Sequence, residues 1–156
     1  MDAPGKTDVT MLQRKHALDV LAATPASVLI QHYETIEPEL PAALAVRGPE
    51  IGAVMIRGKV GGGGAAFNLG EASVTRATVR LASGEIGHSV ILGRDQRKAR
   101  IVAHLDALRQ TPDWVARIDE EFVRPALDLL NAEKLRRAEE TEATRVDFFT
   151  VARGED

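Results

Sequence analysis

Apolar residues change their spacing twice along this chain. Up to about residue 36 they recur every three or four positions, between 42 and 92 mostly every second position, and beyond 96 at three and four again. A helix returns one face every 3.6 residues and a strand every two, so the order must be helices, strands, helices. Such an order implies an α+β layer protein, with neighbouring strands paired by short reversals. At 156 residues the chain has one domain's length and should bury roughly 68–70% of its unfolded surface. The expectation is a single domain over 1–156: a small, mainly antiparallel β-sheet flanked by N-terminal and C-terminal helices, with residues 1–9 flexible.

The first helix is expected to be capped by Asp8 or Thr10 and to carry Met11, Leu12, Ala17, Leu18 and Leu21 as its stripe. Ala23-Thr24-Pro25 stops it, and Pro25 suits the first turn of a second helix through Leu29, Ile30 and Tyr33. Residues 42–47 and 50–57 read as two strands reversed at Arg47-Gly48-Pro49-Glu50. A short strand is expected near 65–69. In 73–81, Val74, Arg76, Thr78 and Arg80 share one face, and Thr75, Ala77, Val79 and Leu81 the other. Ser83-Gly84 turns the chain into a strand over 85–92. Asp95 is placed to cap a helix bearing Ala99, Val102, Ala103, Leu105, Asp106 and Leu108. A helix near 113–122 follows, and Pro125 opens or kinks a longer one reaching the early 140s.

Composition removes several chemistries. With no cysteine, the chain has no thiol nucleophile, no redox pair and no cysteinyl metal or iron–sulfur site. No apolar stretch approaches the roughly 20 residues of a bilayer span, and the opening MDAPGKTDVT has no signal-like apolar run, so a cytoplasmic location is expected. The net charge of −3 conceals a segregation: 47–100 hold nine bases and four acids, while 1–46 and 113–156 are acidic. Fifteen of the twenty bases are arginine, which suits bidentate contacts with phosphate or carboxylate. Without an aromatic ladder, and in an acidic chain, nucleic acid is a poor partner.

Four features are candidates for chemistry or binding. Gly61, Gly62, Gly63 and Gly64 form a hairpin or interface loop, or a ligand-contacting one, because their amides can cradle an anion. They lack the Gly-Lys-Ser/Thr ending of a Walker A loop, and Lys59 precedes them. Arg76 and Arg80 lie four apart on one strand face, and Arg94 with Asp95 stands where a strand meets a helix. Three uses stay open for these: solvated ion pairs, an anionic ligand, or a partner's acidic surface. His16, His32 and His104 read as structural; His88, on the side of Val90 and Leu92, is the only histidine retained as an acid–base candidate. Phe148 and Phe149, flanked by Arg145 and Asp147, form either an apolar docking anchor or a closure of the core. No metal site is expected.

The run RATVRL at 76–81, GRD at 93–95 and RVDFFT at 145–150, in that order and spacing, resembles the PhnG subunit family of the bacterial carbon–phosphorus lyase system. The likeness spans nearly the whole chain and includes Arg76, Arg80, Arg94, Asp95, Arg145, Asp147, Phe148 and Phe149. His88 departs from it, standing where an aromatic such as tyrosine is expected. The resemblance implies an accessory subunit, inactive alone, present in two copies in a symmetric hetero-oligomer with PhnI, PhnH and PhnJ that needs PhnL. That complex would make alpha-D-ribose 1-methylphosphonate 5-triphosphate from ATP and methylphosphonate, releasing adenine. This chain alone would bind no cofactor, with Mg-ATP the substrate of the complex. No membrane and no nucleic acid enter the reading.

Overall fold

Helix α3 (Gln96–Leu108) is buried nearly all round, and the other elements are arranged about it. The computed structural model describes residues 6–59 and 64–143. Two helices, α1 (Lys6–Ala23) and α2 (Ala26–Ile36), precede a single 3-10 turn at Glu37–Glu39. Strands β1 (Ala43–Gly58), β2 (Phe67–Leu81) and β3 (Ile86–Leu92) form an antiparallel sheet in the order β1-β2-β3. After α3 come α4 (Pro112–Ile118), one wide π turn at Asp119–Val123, and α5 (Arg124–Ala143). The sheet flanked by helices on both sides in sequence is the expected fold class. No helix among the described residues is long and apolar enough to cross a membrane.

Strand alternation holds along β3 and along β2 from Thr75 to Leu81. Ala77, Val79 and Leu81 of β2 and Ile91 of β3 point inward, each under 5% exposed. They pack with Val102, Leu105 and Leu108 of α3 in one core. Gly87 sits where α3 comes closest: a Cβ there would fall 1.9 Å from the Ala103 carbonyl oxygen and 2.6 Å from the Ala107 nitrogen. Only glycine lets β3 lie this near a helix backbone.

Three expectations are corrected. Residues 43–58 are one strand, not a hairpin, because both halves pair with the single long β2. Gly48 and Pro49 are absorbed as an irregularity between Arg47 and Glu50, with Gly48 at φ 70° and Gly48-Pro49 cis. A Cβ at Gly48 would meet Glu50 N at 2.7 Å and Arg76 O at 2.8 Å. The segments near 65–69 and 73–81 likewise join into β2. Helix α1 starts at Lys6, so Asp8 and Thr10 lie inside it and neither caps it. The reading of 112–143 holds: Pro125 stands in the first turn of α5, and Arg124 N donates to Asp119 O across the wide turn before it. That turn precedes Pro125, whose ring removes a donor and crowds the ordinary ladder.

Because α3 is buried at Lys98 and at every position from Ile101 to Leu108, its polar residues there must find partners. Asp106, 1% exposed, accepts from Arg14 of α1 (Nε 2.8 Å, Nη2 2.6 Å) and from the His88 amide of β3 at 2.9 Å. Lys98 Nζ donates to the Ala22 carbonyl at the end of α1 (2.6 Å). Asp95 accepts from Lys98 N at 2.8 Å and so caps α3 as expected. Asp106 is therefore the joint between α1, α3 and the sheet. Asp106→Ala should lower unfolding stability by about 2–4 kcal/mol, since it leaves a buried amide unpaired and strands Arg14. Gly87→Val should cost as much or more through the α3 clash, whereas Leu135→Ala, on the exposed face of α5, should stay within about 0.5 kcal/mol. Urea unfolding followed by circular dichroism checks all three.

Candidate interaction face and anion recess

With α3 covering its inner face, the sheet turns the other face outward, and the register sets that face in rows. Leu44, Arg80 and Ile86 lie side by side, then Arg47, Thr78 and His88, then Glu50, Arg76 and Val90, then Gly52, Val74 and Leu92. Arg76, Arg80 and His88 therefore share one surface, as strand spacing required for the two arginines. Arg47 and Glu50 join them, although the turn expected at 47–50 gave no sign of it. Had the alternation been carried through Gly48-Pro49 as a bulge, both would have been found.

Around Arg76 the side chains form a shallow recess of about 160 Å³, bounded by Arg47, Thr78, His88 and Val90. Glu50 Oε1 takes both Arg47 (2.8 Å) and Arg76 (3.1 Å), so two cations share one carboxylate. Thr78 Oγ1 lies 3.2 Å from His88 Nδ1. The recess thus keeps one uncompensated positive charge and several exposed donors, a set that attracts a phosphoryl or carboxylate group without supplying a nucleophile. Arg80 has no ion-pair partner among the described residues, and neither has Arg94. Arg94 stands apart from this group, past the last row, where the chain leaves the sheet at Gly93 (φ 92°). Asp95 beside it is engaged in capping α3.

Gly64 lies in the exposed connection between β1 and β2; Gly61, Gly62 and Gly63 lie outside the described residues. So do Arg145, Asp147, Phe148 and Phe149. Among the described residues, no three of the His, Asp and Glu side chains are placed to hold a metal ion.

A second polar cluster was not foreseen. His104 of α3 lies 2.7 Å from the Tyr33 hydroxyl through Nδ1 and 2.8 Å from the Pro41 carbonyl through Nε2. The carbonyl can only accept, so Nε2 carries the proton and Nδ1 accepts from Tyr33. Burial holds His104 below its ordinary value of 6.5, outweighing the Pro41 bond. Tyr33 is pushed up to about 12, chiefly by burial and then by Glu37. Both rings have their hydrogen bonds filled, so the pair acts as a clamp from α2 and the Pro41 segment onto α3.

The family described as "Phosphonate metabolism protein PhnG" matches residues 12–154 of the chain. The alpha-D-ribose 1-methylphosphonate 5-triphosphate synthase subunit PhnG of Rhizobium meliloti (strain 1021) is 48% identical over 159 residues. That alignment covers 100% of this chain and 99% of the relative.

The clamp makes the fold pH-sensitive with a defined sign. In the native state His104 resists protonation, while in the unfolded chain it protonates as pH falls through 6.5. The unfolded state then binds more protons, so the stability from neutral His104 is complete above 6.5 and is lost as pH falls towards the depressed native value. Melting temperature should therefore drop on acidification below 6.5, and His104→Asn, which cannot titrate, should be less stable at neutral pH but flatten that part of the profile. Thermal scans across this range check it.

Proposed function

The chain belongs to the PhnG family of phosphonate metabolism proteins, and from that premise we propose that it is an accessory subunit of the synthase that couples methylphosphonate to ATP. In that reaction a phosphonate oxygen bonds to C1 of the ribose, the bond from C1 to adenine breaks, and adenine leaves with the electron pair and is protonated. The product is alpha-D-ribose 1-methylphosphonate 5-triphosphate. The observation that carries this reading is the end-to-end correspondence with a relative named as a subunit of that synthase. In the proposed assembly PhnI, PhnH and PhnJ are the partners, two copies of this chain sit in a symmetric hetero-oligomer, and PhnL is required for turnover. The chain's contribution is to hold the assembly, and it has no turnover by itself.

A second reading is favoured by the recess: Arg47, Arg76 and His88 converge on one surface and would touch the triphosphate or the phosphonate directly. The two readings separate in one reconstitution. Given ATP and methylphosphonate, the purified chain should release no adenine by chromatography and form no new phosphonate signal by phosphorus NMR. The complete complex should do both, and omission of this chain should abolish both. Adenine release by the chain alone would overturn the accessory reading. In the assembled complex, Arg76→Gln should leave the rate within about twofold if the subunit only supports assembly; a fall of more than about tenfold at unchanged assembly would favour substrate contact.

A further inference from the structure

We propose that the outer sheet face, together with the two-stranded extension of β1 and β2 over residues 53–58 and 67–73, is one docking surface for a different polypeptide whose apolar strip is bordered by carboxylates. The inference rests on the subunit reading above and adds which surface is used and the chemistry of what meets it.

The outward rows expose Leu44 (65%), Val90 (58%) and Leu92 (77%). β3 ends at Leu92 opposite Val74, so beyond Gly52 on β1 and before Val74 on β2 these strands pair only with each other. That extension is a two-stranded arm, and its two sides differ little in character. Val54 and Ile56 continue the outer face at 41% and 43% exposure, while Met55 exposes 53% on the reverse. Phe67 and Leu69 add 43% and 61% near its far end. Two-stranded hairpins are marginal in water, and a contiguous apolar surface of this kind marks a contact with another chain.

Charge selects the occupant. From Ala43 to Arg94 the sheet region carries six bases, Arg47, Arg57, Lys59, Arg76, Arg80 and Arg94, against three acids, Glu50, Glu71 and Glu85. Two copies meeting face to face would set these cations against each other. A copy offering its acidic helices instead would make a head-to-tail contact, which builds rings or filaments rather than a symmetric pair. A different chain with an apolar strip edged by Asp and Glu satisfies both the greasy centre and the arginine rim.

The test is co-purification of the complex through a tag on this chain, co-expressed with the partner subunits named above. Leu92→Glu and Val54→Glu should each reduce recovered partner by at least about tenfold. Arg80→Glu, which breaks no ion pair among the described residues, should weaken recovery and lessen its sensitivity to salt. Leu135→Glu, as exposed (63%) but on α5, should recover partner normally, and all four variants should keep the parent's circular dichroism. Wild-type recovery with both sheet variants would overturn the proposal. So would sedimentation of the free chain as a dimer that Leu92→Glu dissociates, or tight binding of a single-stranded oligonucleotide abolished by Arg80→Glu. If the unsubstituted chain recovers no partner, the subunit reading falls and this inference falls with it.

Discussion

Burial of α3 on every side from Ile101 to Leu108 is the constraint from which the remaining structure follows. One side of it meets the sheet so closely that Gly87 has no room for a Cβ. Its opposite sides meet α1 and α2, and the contacts include polar groups as well as apolar ones. Each polar residue holds a different neighbour: Asp106 takes Arg14 and the His88 amide, His104 takes Tyr33 and the Pro41 carbonyl, and Lys98 takes the end of α1. Misplacing any of these elements would leave a buried polar group unpaired, which costs more than the bond itself contributes. The network therefore specifies the arrangement as well as stabilising it.

From that packing comes the functional asymmetry. A small sheet has two faces, and α3 occupies one. The other is left with arginines and large aliphatic residues in alternating rows, and the β1–β2 hairpin runs on past β3 with neither side covered. Exposed apolar surface of this extent is unfavourable in a free chain and is explained by assembly. Membership in the PhnG family of phosphonate metabolism proteins and an open, basic, apolar face meet in the proposed docking surface.

Much of this was legible in the sequence, for reasons that can be named. The 73–81 part of β2, the Ser83-Gly84 reversal and β3 were readable because one face is buried against the helices. Asp95 as a cap was readable because capping is local. Gly48-Pro49 was misread because the same two residues suit a reversal and a bulge, and only the distant partner strand decides between them. The full burial of α3 was hidden because Lys98, His104 and Asp106 interrupt its apolar pattern. Arg14, which neutralises Asp106, lies 92 residues away. Arg76 and Arg80 were grouped correctly by strand parity, while His88 joins them only through the β2–β3 register and Arg47 only because β1 continues through the bulge.

Hydroxyl-radical footprinting of the chain, free and within its complex, tests the central claim most directly, because it reads side chains rather than amides already held in the sheet. The account predicts that Leu44, Met55, Phe67 and Leu92 label readily in the free chain and are protected on assembly, while Leu135 on α5 labels equally in both. Unchanged labelling of the four sheet residues in the intact complex, with protection confined to the helices, would contradict it.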